Sequence, residues 1–173
     1  MAYSTAENML HRAAVGSERV LGTGASGGVG LAAVQLAKRR GATVIAVCSA
    51  SKAADVVAQG ADRTVERDAD LVDAPGRATV DVVIDVVGGP RGAQLLDLLR
   101  LGGRYAISGA IGGPIAEIDL RTLYLKDLSV FGCTFQEAEV FENLIEYVER
   151  GEVRPFVSRT YPWRRSLPRR RRS

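Results

Sequence analysis

Three glycines spaced three apart, Gly24, Gly27 and Gly30, lie in the run Thr23-Gly24-Ala25-Ser26-Gly27-Gly28-Val29-Gly30. Positions without side chains let backbone N–H groups approach an anion, and a helix starting in such a run turns its positive dipole end toward it. The chemistry open to Gly24, Ser26, Gly27, Gly28, Val29 and Gly30 is to cradle a pyrophosphate. A tight strand-to-helix turn without a ligand is the other reading of the same residues. About twenty residues on, the apolar run from Thr43 to Cys48 gives way to Ser49, Ala50, Ser51 and Lys52, and no acid occurs between Glu18 and Asp55. A carboxylate at that place holds a ribose hydroxyl and repels a 2′-phosphate, whereas an ammonium and two hydroxyls hold the phosphate. Ser49, Ser51 and Lys52 therefore point to NADP(H) as the preferred ligand, with NAD(H) possible. A solvated lysine at a helix start is the alternative for Lys52.

The other reactive side chains form no catalytic set, and no catalytic residue is assigned. One histidine, His11, and two cysteines, Cys48 and Cys133, cannot make an ordinary zinc site within the chain. No metal ligand is assigned. Both cysteines fall on or at the end of apolar strands and read as buried structural thiols. His11 falls on the first helix, at a surface or partly buried position. Asp85 lies late in an apolar strand near the expected crevice, and fits either an acid that orients a backbone or ribose group or a structural hydrogen-bonded one. The glycine run also fits the T-G-x-x-x-G-x-G loop of short-chain dehydrogenases, which pair a tyrosine with a lysine four residues on. Tyr3, Tyr105, Tyr124, Tyr147 and Tyr161 are followed there by Glu7, Gly109, Leu128, Gly151 and Arg165, so that lysine is missing.

Strands and helices must alternate to position these residues. Ser4-Thr5-Ala6-Glu7 reads as a capping box for a helix ended by Gly16. Arg19 to Thr23 is a strand, Gly28 to Arg40 a helix, and Thr43 to Cys48 a strand buried on both faces. Ser51 caps a helix that stops at Gly60, and Asp62 to Val65 is a short strand. Glu66 to Ala78 shows no clear element. Val80 to Val87 is a second buried strand, Gln94 to Arg100 a helix, Arg104 to Ser108 a strand and Gly109 to Pro114 a loop. Leu128 to Phe135 is a strand and Ala138 to Arg150 a helix. The alternation predicts an α/β fold: a Rossmann-type doubly wound parallel sheet, a single domain, with strand order 3-2-1-4-5-6.

The 173 residues allow one domain, and 46% hydrophobic with 25% charged residues exclude a disordered or fibrous chain. No secretory leader or bilayer span is visible, and a cytoplasmic protein is expected. The net charge of +3 resides in the last ten residues, which hold six arginines. Without these, 23 Lys and Arg fall to 17 against 20 Asp and Glu, so a basic face for nucleic acid is not implied.

The run Ala2-Tyr3-Ser4-Thr5-Ala6 is followed in order by Glu18-Arg19-Val20-Leu21, Thr23 to Gly30, Ala33-Val34-Gln35-Leu36-Ala37, Gly60-Ala61-Asp62, Asp81-Val82-Val83-Ile84-Asp85, Gly102-Gly103-Arg104 and Phe131-Gly132. Over roughly residues 1–162 this resembles the medium-chain dehydrogenase/reductase superfamily, in particular the coenzyme-binding half of a zinc-type alcohol dehydrogenase or quinone oxidoreductase. The resemblance implies NAD(P)H-dependent hydride transfer to or from alcohol/carbonyl, quinone or enone substrates. It implies that Val87, Ser108, Gly109 and Ala110, and Phe131, Gly132 and Cys133, belong to the cofactor-binding set. It also implies a homodimer through the strand Leu128 to Phe135. The family places a GroES-like catalytic domain before this segment; the expectation is that this chain lacks it, with Met1 standing where zinc-dependent relatives carry a ligand cysteine. The expected organisation is an NADP(H)-binding domain over 1–162 and a basic, disordered tail over 163–173. A frameshift is the expected origin of that tail, since suitable codons read in another frame spell a helix of the family's kind. A non-catalytic nucleotide-binding module is the alternative function.

Overall fold

The apolar runs become parallel strands. The computed structural model describes residues 1–71, 75–157 and 160. Strands β1 (Arg19–Gly22), β2 (Thr43–Cys48), β3 (Arg63–Glu66), β4 (Val80–Asp85), β5 (Leu99–Ile107) and β6 (Ser129–Gly132) form one sheet in the order β3-β2-β1-β4-β5-β6. Every pairing is parallel, as the sequence predicts. The helices are α1 (Ala2–Arg12), α2 (Gly28–Arg39), α3 (Ala53–Ala58), α4 (Gly92–Leu98), α5 (Leu120–Leu125) and α6 (Ala138–Glu149).

Successive strand residues point to opposite faces, so continuous apolar runs build two cores. Val20, Val44, Ala46, Val82, Ile84 and Ala106 face one core with Met9 and Leu10 of α1, Leu36 of α2 and Leu144 of α6. Their neighbours Leu21, Ile45, Val47, Val83 and Tyr105 face the other, with Leu95 and Leu96 of α4. The register sets Leu21 between Ile45 and Val83 in one row across the sheet centre. Among the described residues, no helix is long and apolar enough to cross a membrane.

Several elements depart from the sequence reading. The helix expected behind a capping box begins at Ala2, because the Ser4 and Thr5 hydroxyls donate back to the Met1 carbonyl. Glu7 is instead buried in an ion pair with Arg40. Ser51 caps nothing: it lies inside a 3-10 turn, Ala50–Lys52, that precedes α3. The strand from Val80 stops at Asp85, whose side chain captures the N–H groups of Val87 and Gly88. The helix expected to reach Arg100 ends at Leu98, and β5 begins at Leu99, five residues early. There Lys126 Nζ donates to the carbonyls of Leu96, Asp97 and Leu99 at 3.3, 3.0 and 3.1 Å, ending the helix without a glycine. α5 was not foreseen; its cue is Asp119, whose side chain accepts from the Arg121 N–H. The strand expected from Leu128 to Phe135 shortens to Ser129–Gly132. The tail from Trp163 lies outside the described residues.

Candidate functional site

A parallel sheet sends the C-terminal ends of all its strands to one side. β1 and β4 are neighbours, and the chain leaves them toward opposite halves of the sheet. Ligands of open α/β sheets sit at such a switch point. A cavity of about 450 Å³ opens there. Thr23, Gly24 and Ser26 line it from behind β1, Cys48 and Ser49 from the end of β2, and Asp85, Val87 and Gly88 from β4.

The glycine run makes the tight turn its composition requires. Gly24 has φ +57°, and a Cβ there would meet Val86 Cγ2 at 2.9 Å. A Cβ on Gly30 would fall 2.2 Å from the Gly24 carbonyl oxygen, so only glycine lets α2 start this close to the turn. Two N–H groups are used internally: Ala25 donates to the Val47 carbonyl at 3.1 Å and Gly27 to that of Gly24 at 2.9 Å. The N–H groups of Ser26, Gly28, Val29 and Gly30 find no protein acceptor among the described residues. Four such donors at the start of a twelve-residue helix are open to an anion. They fit a dinucleotide pyrophosphate.

Asp85 fixes the floor. It is fully buried and accepts from the hydroxyls of Thr23 and Tyr105 and from the N–H groups of Val87 (2.9 Å) and Gly88 (3.1 Å). Thr23 Oγ1 in turn accepts from Val86 N–H at 3.1 Å. Between the two sequence readings of Asp85, these bonds select the structural one: it ties the ends of β1, β4 and β5. Burial, and then the Asp85 carboxylate, push the Tyr105 phenol well above its ordinary pKa.

The remaining expected residues occupy the same side of the sheet. Ser49 Oγ and Ser51 Oγ stand 3.3 Å apart. Lys52 is not part of the cavity lining; its Nζ lies 3.7 Å from Asp55 Oδ2. Ser108 follows β5, its N–H on the Asp85 carbonyl at 3.0 Å, and Gly109 packs against the Val86 backbone. Ala110 leads into Ile111 and Gly112, which line the cavity. Phe131 and Gly132 pair with Ala106 and Ile107, and Cys133 N–H donates to Ile107 at 2.9 Å. These three therefore lie beyond the β5 end of the crevice, with β4 and β5 between them and the glycine turn. Cys48 and Cys133 are buried and free, and burial raises both thiols above their ordinary pKa. Among the described residues no three His, Cys, Asp or Glu side chains could hold a metal ion together, so they do not fit a zinc site.

One wall escaped sequence reasoning. Arg67, Asp68 and Leu71, after β3, face Arg91 and Leu95 across the outer part of the cavity. Arg91 donates to the carbonyls of Arg67 and Ala69, the latter at 2.6 Å, and fastens the two sides. Arg67 to Leu71 fell in a stretch without periodic pattern. Their only cue was that they follow a strand.

The sequence profile of the zinc-binding dehydrogenases matches residues 28–150. The chain is 36% identical over 145 residues to the acryloyl-coenzyme A reductase of Metallosphaera sedula, covering 83% of this chain and 43% of that protein. It is 30% identical over 173 residues to the quinone oxidoreductase of Rattus norvegicus, covering 92% and 52%. The chain thus spans about half the length of these relatives. A crystal structure from Sinorhizobium meliloti 1021, assigned as an alcohol dehydrogenase, superposes with a TM-score of 0.85 at 46% identity, over 90% of this chain and 45% of that one. The 2-octenoyl-CoA carboxylase reductase CinF, solved with NADP and 2-octenoyl-CoA, superposes with a TM-score of 0.81 at 28% identity, over 90% and 41%. The glycine turn, the sheet order and these likenesses agree: the chain belongs to the zinc-binding dehydrogenase family of the medium-chain dehydrogenase/reductases.

Proposed function

We propose that the crevice binds NADP(H) and that the domain positions this cofactor for hydride transfer to or from a carbonyl, alcohol, quinone or enone. The observation that carries the reading is the set of four N–H donors at the start of α2 that have no acceptor among the described residues, beside a cavity at the switch point of the sheet. Bound there, the cofactor supplies the hydride; the chain supplies position and electrostatics. Ser26, Gly28, Val29 and Gly30 hold the pyrophosphate through their backbone. Ser49 and Ser51 lie on the adenosine side, where an acid would select NAD(H). Val87, Ser108 to Ala110 and Phe131 to Cys133 flank the nicotinamide. The reading is supported by CinF, whose structure holds NADP, and by relatives named as reductases of an acyl-CoA and of quinones. Both cysteines are free, in keeping with the proposed cytoplasmic setting. A charge-assisted phosphate contact contributes about 1.5–3 kcal/mol, so calorimetry should show NADPH binding about ten- to hundredfold tighter than NADH. Equal affinities would defeat the preference.

The same reading includes a homodimer through β6. The two sheet edges differ: β3 carries Arg63 and Glu66, whereas β6 reads Ser129-Val130-Phe131-Gly132 with Val130 exposed. Charge protects an edge strand; an uncharged apolar one is a template for pairing. A second copy placed across a two-fold axis would extend the sheet.

A further inference from the structure

One side of α6 is left uncovered among the described residues. Val140 and Leu144 turn inward, and Leu144 packs in one core with Met9 and Leu10 of α1. Phe141, Ile145 and Val148 form a second apolar strip at helical spacing on the same helix, and they stay 52%, 42% and 43% exposed. About 100° further round lie Glu142 and Glu149, and beyond them Glu139 and Glu146. Glu139, Glu142 and Glu149 have no ion-pair partner among the described residues, and Glu146 pairs with Arg150 at 2.9 Å. From Glu137 to Glu152 the chain holds six glutamates against one arginine. The helix thus presents an apolar strip with an acidic rim, and it lines no part of the cavity at the switch point.

We propose that this strip is the docking site of the chain's own basic segment, Trp163 to Arg172. Trp163 and Leu167 stand four apart, a spacing that puts both on one side of a helix or of an extended strand. The six arginines between Arg164 and Arg172 match the six glutamates in number. Free, these like charges repel one another; along the acidic rim each approaches an opposite charge. A guanidinium also binds a carboxylate through two donors at once. Reach allows the contact. Val153 is buried in the same core as Leu144, and Trp163 follows it by ten residues, an extended span of up to about 33 Å. The twelve residues of α6 are about 18 Å long. Single exposed ion pairs are weak. Tethering compensates, because a segment linked this closely acts at an effective concentration of about millimolar order. Docked there, the segment lies away from the cofactor crevice with its charge matched by the helix, and it adds no basic face for nucleic acid.

Trp163 is the only tryptophan of the chain, so its fluorescence reports docking directly. In the full chain its acrylamide quenching constant should be about threefold or more below that of free N-acetyltryptophanamide, and this protection should not depend on protein concentration. Ile145→Glu on the strip, and Glu142→Lys combined with Glu149→Lys on the rim, should each raise quenching toward the free value, with circular dichroism and NADPH affinity unchanged. The rim variant alters exposed charges alone and decides the matter if Ile145→Glu fails to fold. Quenching in the unsubstituted chain equal to that of the free compound overturns the inference. Protection that the rim variant leaves intact also overturns it, since the segment would then be seated elsewhere. So does protection that vanishes on dilution, since a second copy would then fill the strip.

Discussion

Asp85 joins three strand ends through one side chain, and the shape of the crevice floor depends on it. Asp85→Asn keeps the volume but turns one of two acceptor oxygens into an amide donor, which then faces either the Thr23 hydroxyl and the Val87 N–H at Oδ1 or the Tyr105 hydroxyl at Oδ2. Losing hydrogen bonds to a charged acceptor costs about 1.5–3 kcal/mol. A urea midpoint lowered by that amount is expected, and an unchanged midpoint would show that the network contributes little. Asp62 offers a test with pH. Burial opposes its ionisation, but the Val44 N–H at 2.7 Å and Lys38 Nζ at 2.9 Å outweigh it and hold its carboxyl below the ordinary range. A lowered folded pKa means stability that is full above the unfolded value of about 3.9 and lost as pH falls through the folded one. The pair is partly exposed, so Asp62→Asn should cost no more than about 1 kcal/mol at neutral pH. The gap should close on acidification; a gap independent of pH would contradict this assignment. Residues of this kind differ in how legible they were. The glycine run announced itself, because its turn needs a positive φ at Gly24 and close approach at Gly24 and Gly30. Asp85 stayed open between two roles, since its four donors come from residues as far away as Thr23. Arg67 was silent, because its place beside Ser49 exists only through the β2–β3 register.

At the level of elements, β2 and β4 were readable because burial on both faces makes them continuously apolar, and their parallel neighbours follow from the helices between them. Some boundaries shift through local side chains, as at Ser4, Thr5 and Asp85, and one through a remote side chain. α4 ends where Lys126, nearly thirty residues on, reaches its last carbonyls. A cation at a helix C-terminus contributes up to about 2 kcal/mol in partly buried geometry, so Lys126→Ala should lower the thermal midpoint with the sheet intact. A midpoint within error of the unsubstituted chain would remove Lys126 from this role. β6 carries the proposed dimer. Val130→Lys places a charge on the exposed edge, and ultracentrifugation at micromolar concentration should show a shift from dimer to monomer. A monomer before substitution would count against pairing through this strand.

For the whole molecule, two cores set around one sheet leave the functional end on a single side. At the switch point Ile111 lines the cavity while 89% exposed. Hydride transfer needs water excluded from the nicotinamide, which a crevice this open at the β5 end does not achieve. The purified chain is therefore expected to bind cofactor and to reduce quinones, enones or aldehydes little; brisk turnover abolished by Gly27→Trp would contradict that expectation. The central claim is that the unpaired donors at the start of α2 hold a dinucleotide. Amide hydrogen exchange followed by NMR, with and without NADPH, tests it most directly. The Ser26, Gly28, Val29 and Gly30 amides should exchange fast in the free chain and become protected when NADPH is added. Saturable binding that leaves these four amides unprotected, with protection elsewhere, would contradict it.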